Sequence, residues 1–327
     1  MCDNTPTSPF YGNCYVEYDD FGNGNALHME YSIDGGLTWT ASSVPNAGVI
    51  GAQPVVQPNG TVVVPTDNAN ETALGATVST NGGVSYSAMT TITTISDHAV
   101  AGGLRTGPLP SAEVDGSGRV YVVWQDCRFR RGCKSNDIVM TTSTNGTTWT
   151  PVARIPIGTT NDRQDEFIPG IAVDKSTSGS TARLAVTYYY YPDASCNAGS
   201  TRKSCQLDVG YTSSATGGAS WGASTQLAGP MSLSWLPNTT QGRMVGDYIS
   251  TSFNNSGLAY GLFTVANAPS GGGSDCATAT PSCDQGLYTN AAGLSQLSGV
   301  VVTSSGDHSV PNAASDHAAP ASRITVR

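Results

Sequence analysis

Apolar and polar residues alternate along this chain in short runs that end at Gly, Asn, Asp or Ser, the pattern of half-buried β-strands joined by tight turns. Val120-Tyr-Val-Val-Trp-Gln-Asp126 and Leu184-Ala-Val-Thr-Tyr-Tyr-Tyr-Tyr191 are two of the runs. The runs fall into a repeated unit. Residues 109–126 and 136–149 line up with residues 167–193 and 207–221; residues 52–67 and 73–86 form a shorter copy. Residues 246–267 and 285–293 repeat the first three runs. Each unit reads strand, Gly turn, strand, long loop, strand, turn, strand, which predicts a four-stranded antiparallel sheet.

One turn recurs four times: Ser32-Ile-Asp-Gly-Gly-Leu-Thr-Trp39, Ser79-Thr-Asn-Gly-Gly-Val-Ser-Tyr86, Ser143-Thr-Asn-Gly-Thr-Thr-Trp149 and Ser214-Ala-Thr-Gly-Gly-Ala-Ser-Trp221. Gly accepts a positive φ, the Asp or Asn side chain bonds turn amides, and the aromatic packs beneath the neighbouring strand. The first copy resembles the Ser-x-Asp-x-Gly-x-Thr-Trp Asp-box (BNR repeat) of the sialidase-like superfamily, and the others resemble degenerate copies. The resemblance implies an all-β, sialidase-like β-propeller of four-stranded antiparallel blades, about five to six in this chain.

The units place recognisable blades in residues 10–292 of a single domain spanning 1–327, with an incomplete N-terminal blade whose second strand is Tyr11 to Asp19. Residues 293–327 form a low-complexity tail, containing His308 and His317, that can supply a ring-closing strand from Arg323 onward. The resemblance to six-bladed rings, and a start in mid-pattern, point to a missing N-terminal segment.

Composition narrows the partners. Charged residues are 12% of 327, about half the usual ~25%, and Gly 38 with Pro 18 exceed the usual share, which disfavours helices. A net charge of -9 excludes a nucleic-acid partner, and no apolar run is long enough to span a membrane. Eight cysteines fall in local pairs, Cys2 with Cys14, Cys127 with Cys133, Cys196 with Cys205 and Cys276 with Cys283, which predicts disulfides and a secreted protein. Five glycosylation sequons begin at Asn59, Asn70, Asn145, Asn238 and Asn254.

Strand direction alternates in each blade. The entrance to strand 1 and the loop after strand 2 therefore share one face, and the Asp-box turns lie on the other. Strand-1 entrances carry Gln53, Arg105, Asp165, Glu166, Arg243, Asp247 and Tyr248; strand-2 ends carry Asp19, Asp20, Asp126, Arg128 and Asp193. The three tight cysteine pairs stiffen the same rim.

Arginine forks bind a sugar carboxylate, and acid–base pairs cleave glycosidic bonds. The family resemblance implies three arginines, a Tyr/acid pair and an Asp acid. The expected substrate-binding groups are Arg105, Arg128 and Arg243 with Asp165 and Gln53; the expected catalytic groups are Tyr248, Asp247, Glu166 and Asp126. Arg154-Ile-Pro156 matches a family arginine motif in letters but falls at the end of a blade, where it reads as an outer strand. Tyr188 to Tyr191 read as core, and His98 as a loop residue. No cofactor is expected, apart from a Ca²⁺ site open to Asp162, Asp165 and Glu166. The expected function is that of a secreted exo-sialidase-like glycoside hydrolase on acidic glycans. The alternatives are a polysaccharide lyase on uronate glycans and a non-enzymatic glycan-binding propeller.

Overall fold

A computed structural model describes residues 1–162, 164–193, 196, 205–269, 275–277, 283–295, 302–303 and 321–323. The first sheet holds β1 (Cys14–Asp20), β2 (Ala26–Ser32) and β3 (Thr40–Ala41). In the second, β4 (Val49–Ala52) and β5 (Val55–Val56) are two halves of one strand, interrupted at Gln53-Pro54, and both pair with β6 (Val62–Asn68). β7 (Ala73–Ser79) and β8 (Thr90–Thr94) complete it. The third comprises β9 (Ser111–Val114), β10 (Val120–Asp126), β11 (Asp137–Ser143) and β12 (Ala153–Arg154). Arg154 thus lies on the outermost strand, as its position in the repeat predicts.

The fourth sheet is β13 (Asp165–Val173), β14 (Leu184–Tyr191), β15 (Gln206–Ser214) and, after the short β16 (Ser220–Trp221), β17 (Thr225–Ser232). A small hairpin follows, β18 (Asn238–Thr239) with β19 (Gly242–Arg243). The fifth sheet takes β20 (Ser250–Phe253), β21 (Ala259–Asn267) and β22 (Asp284–Asn290). Of the tail, β23 (Val302–Thr303) pairs with β16, and β24 (Ala321–Arg323) is the fourth strand of the fifth sheet. His308 and His317 lie outside the described residues. All pairings in the five main sheets are antiparallel, and the fold is a β-propeller with blades in chain order.

Each pair of successive sheets shares one apolar core. Tyr15, Met29, Val49 and Val62 join the first to the second; Val63, Leu74, Val120 and Trp124 join the second to the third. Tyr121, Ile138, Ile171 and Tyr188 join the third to the fourth, and Phe167, Tyr189, Leu207 and Phe263 join the fourth to the fifth. Every residue of β10 and β11 is buried because their sheet is covered on both faces. On β1 only Cys14 and Tyr15 are buried, and Val16 and Tyr18 are exposed. Among the described residues, no apolar core joins the first sheet to the fifth.

The four recurrent turns follow the third strands and share one hydrogen-bond scheme. Gly36, Gly83, Gly146 and Gly218 each donate a backbone N–H to the opening serine of their own turn. Asp34 Oδ1 accepts from Leu37 N at 3.0 Å and Thr38 N at 2.9 Å; Asn81, Asn145 and Thr216 accept equivalent amides. These bonds hold the Asp34 carboxyl at about 2, with those from Ser32 and Thr38 leading.

Four disulfides form: Cys2–Cys14, Cys127–Cys133, Cys196–Cys205 and Cys276–Cys283. The last three close the loops between second and third strands. No helix of the described residues is long and apolar enough to cross a membrane.

Candidate functional site

The strand-1 entrances of the second, third and fifth sheets border a cavity of about 780 Å³. Glu17 and Asp19 enter it from β1, Ile50 and Gly51 from β4, Glu71 from the β6–β7 loop, Arg105 from the segment before β9, and Asp247 and Tyr248 from the segment before β20. The pleat of β1 explains its contribution. Tyr15, Glu17 and Asp19 share one face, on which Tyr15 packs into the core while the two acids continue up to the cavity.

Beneath the cavity, Gln53, Ser111, Glu113 and Thr251 line a narrower space of about 320 Å³. Ala52 and Tyr248 border both spaces and so form the cavity floor. The turn side chains Asn81 and Asn145 line a separate groove.

The cavity is dominated by carboxylates. Arg105 Nε lies 2.9 Å from Asp247 Oδ1, so the one guanidinium lining the cavity is already paired. Burial, reinforced by Asp19, pushes the Glu17 carboxyl up to about 7. Behind the wall, Asp67 is 0% exposed; neither oxygen makes a hydrogen bond of good geometry, although the Asn68 amide stands close. Burial, then Glu71, pushes Asp67 up to about 8. The Tyr248 ring is half exposed, but burial of its hydroxyl, then Glu17, Asp247, Asp19 and Asp67, pushes it up to about 12. Tyr248 is therefore a neutral phenol at physiological pH, a hydrogen-bond donor rather than a ready nucleophile.

Of the residues expected from sequence on this face, Asp19, Arg105, Asp247 and Tyr248 meet in this cavity. Asp126 does not: it is 0% exposed, and its oxygens accept from Arg128, Ser96 N and Trp124 Nε1. Arg128 is consumed in the same contacts, together with Thr93, and lies over Trp124 at 5.9 Å. Arg243 is 0% exposed, donating to the Leu236 carbonyl and to Asp275 Oδ1 at 2.6 Å. The expected cluster of three arginines is therefore absent.

Glu166 is fully buried between the third and fourth blades, where it accepts from Ile138 N at 3.3 Å and faces Arg130 at 3.7 Å. Its pKa is raised, by burial and then Asp137. Asp165 accepts from Asn136 N at 2.8 Å and faces His98 Nε2 at 3.7 Å. Arg130 also binds Asp137 and Asp162, so a guanidinium occupies the acid cluster considered for Ca²⁺. Gln53 accepts from Ala112 N at 2.9 Å, tying the second blade to the third below the cavity. Tyr188, Tyr189 and Tyr191 are buried core, as expected.

Glu17, Glu71 and Asp67 escape the sequence argument. Glu17 sits inside a strand that reads as half-buried, and Asp67 ends the shortened copy of the repeat. Aligning the second strands Val62–Asn68 and Val120–Asp126 would have placed Asp67 at a strand end.

No protein-family model matches the chain, and no curated protein matches it. Among solved structures it is similar to an α-L-arabinanase of Penicillium chrysogenum, with 12% identity and a TM-score of 0.53, covering 88% of this chain and 77% of that one. It is also similar to an α-L-arabinofuranosidase of Fusarium graminearum, with 13% identity and a TM-score of 0.51, covering 85% and 74%. The likeness is one of fold.

Proposed function

We propose that the chain is a secreted carbohydrate-active propeller that hydrolyses glycosidic bonds in this cavity. The observation that carries this reading is the convergence of Glu17, Arg105, Asp247 and Tyr248, from three different blades, in one cavity of sugar-binding size. Four disulfides, three of them bracing loops that follow second strands, support an extracellular setting. The α-L-arabinanase and α-L-arabinofuranosidase that share the fold, and the four Asp-box-like turns, support a carbohydrate substrate.

Glycosidases pair a carboxylic acid that protonates the leaving oxygen with a carboxylate that meets positive charge developing on the sugar ring. Glu17, half protonated near pH 7, fills the first role. Asp247, oriented by Arg105, fills the second. The Tyr248 hydroxyl donates to substrate and closes the floor. The acidic-glycan form of the reading loses its support, since Arg128 and Arg243 are spent on internal partners.

The test is a panel of chromogenic glycosides and glycan oligomers. Release of reducing sugar, abolished by Glu17→Gln and by Asp247→Asn in folded protein, is the expected result. Turnover that survives both substitutions overturns the assignment. Products absorbing as unsaturated uronates would establish a lyase instead, and binding without turnover a lectin-like propeller.

A further inference from the structure

We propose that the groove between the second and third recurrent turns is a further binding site that takes an uncharged oligosaccharide. It shares no lining residue with the cavity, so its occupancy is independent of the chemistry proposed there.

The groove holds about 580 Å³, within the usual size of a small-ligand site. Three turns frame it: Gln57 to Thr61 between β5 and β6, the turn around Asn81 and the turn around Asn145. In a chain of net charge -9, no residue lining this groove carries a charge. Its walls are side-chain amides and hydroxyls, with Val78 and Tyr86 as their apolar part. A charged ligand meets no counter-charge there. A neutral sugar meets groups that match its hydroxyls, each of which can donate and accept.

The polar groups are set in place by bonds within the chain. Gln57 lines the groove although it is only 3% exposed, and its Nε2 donates to the carbonyls of Gly118 and Thr144 in the third blade. Both bonds leave from nitrogen, and among the described residues none donates to Oε1, which remains as a fixed acceptor. The two asparagines work in the opposite sense. Asn59 Oδ1 accepts from Thr61 N at 3.0 Å, and Asn145 Oδ1 accepts from Thr147 N at 3.0 Å and Thr148 N at 2.8 Å. Their oxygens are committed, so each keeps Nδ2 as a donor. An acceptor and two donors held in advance lower the ordering cost of binding.

Asn59 and Asn145 also begin two of the sequons, whose hydroxyl residues Thr61 and Thr147 line the same groove. An N-linked glycan at either position would consume the Nδ2 donor, so the unglycosylated chain is the form that binds.

The experiment takes the full chain made without N-glycosylation, isotopically labelled, and follows its backbone amides by NMR. The probes are uncharged tetrasaccharides from arabinan, xylan and cellulose, with tetragalacturonate as the charged comparison, each at millimolar concentration. At least one neutral tetrasaccharide should shift Gly60, Thr61, Thr144 and Thr147 saturably, with tetragalacturonate several-fold weaker. Asn59→Asp combined with Asn145→Asp keeps the accepting oxygens, as Asp34 shows in the first turn, and removes both donors. Affinity should fall about tenfold or more, the scale of two neutral hydrogen bonds. Amides outside the groove report that the variant is folded. Unchanged affinity in the folded variant, no saturable shift with any neutral probe, or equal binding of tetragalacturonate overturns the proposal. Shifts confined to Gly107, Asp247 and Tyr248 would also overturn it, while supporting the cavity as the glycan site.

Discussion

Tyr248 rests its hydroxyl against Gly51, so closely that a methyl group on Gly51 would collide with the phenol oxygen and stand 2.8 Å from Leu109 Cδ2. Gly51 also has φ +64°, a conformation that other residues adopt at a cost of roughly 1–2 kcal/mol. Gly51→Ala should therefore displace Tyr248 from the cavity floor, destabilise the chain by about 1–2 kcal/mol and lower kcat/KM. Denaturant midpoints and steady-state kinetics measure the two effects. Unchanged kinetics would show that the floor contact does not matter to turnover.

Glu17 sets a pH limit on the reaction. As the acid it must carry its proton, so kcat/KM should fall as pH rises through about 7. Glu17→Gln should cost about 10²–10⁴-fold in rate, the usual contribution of a general acid, and remove that limb of the profile. A wild-type limb that persists in the variant assigns the proton elsewhere.

Asp67 makes stability depend on pH in the opposite sense to a salt-bridged carboxylate. Its pKa is raised on folding, so its contribution is complete at low pH and is lost between about pH 4 and pH 8. Relative to Asp67→Asn, the wild-type chain should lose up to about 1.4 kcal/mol per pH unit across that window, the ceiling for one proton. Thermal melts of both proteins at several pH values test this. Parallel curves would mean that Asp67 ionises as freely folded as unfolded.

Arg105 and Arg243 should separate cleanly. The Arg105–Asp247 pair is partly exposed, so Arg105→Met should cost under about 1 kcal/mol of stability while impairing turnover. Arg243→Met strips a buried guanidinium from Leu236 and Asp275 and should cost about 2 kcal/mol or more. Urea denaturation alongside kinetics distinguishes them, and equal stability losses would contradict the difference in burial.

The turns were legible because everything they need is local: Ser32, Asp34, Gly36 and Thr38 satisfy one another within a few residues. Strand order followed from the repeat for the same reason. The site was legible only in part. Proximity to a strand end says which face of the propeller a residue is near, not where its side chain turns. Arg128 turns back two residues to Asp126, and Arg243 turns inward to Asp275, a partner far away in sequence. In a chain so poor in charge, clustered arginines suggested a ligand. Several instead pair with buried acids, as Arg130 does with Asp137 and Arg128 with Asp126.

Among the described residues, four apolar cores join the five main sheets of the propeller in chain order. These cores hold the interior sheets from both sides and the two end sheets from one. Glu17 and Asp19 belong to one end sheet, while Asp247 and Tyr248 lead into the other. Thermal loosening that begins at either end should therefore dismantle the cavity first, so inactivation on heating should run ahead of the loss of β-structure, and a bound ligand bridging the two ends should draw the transitions together.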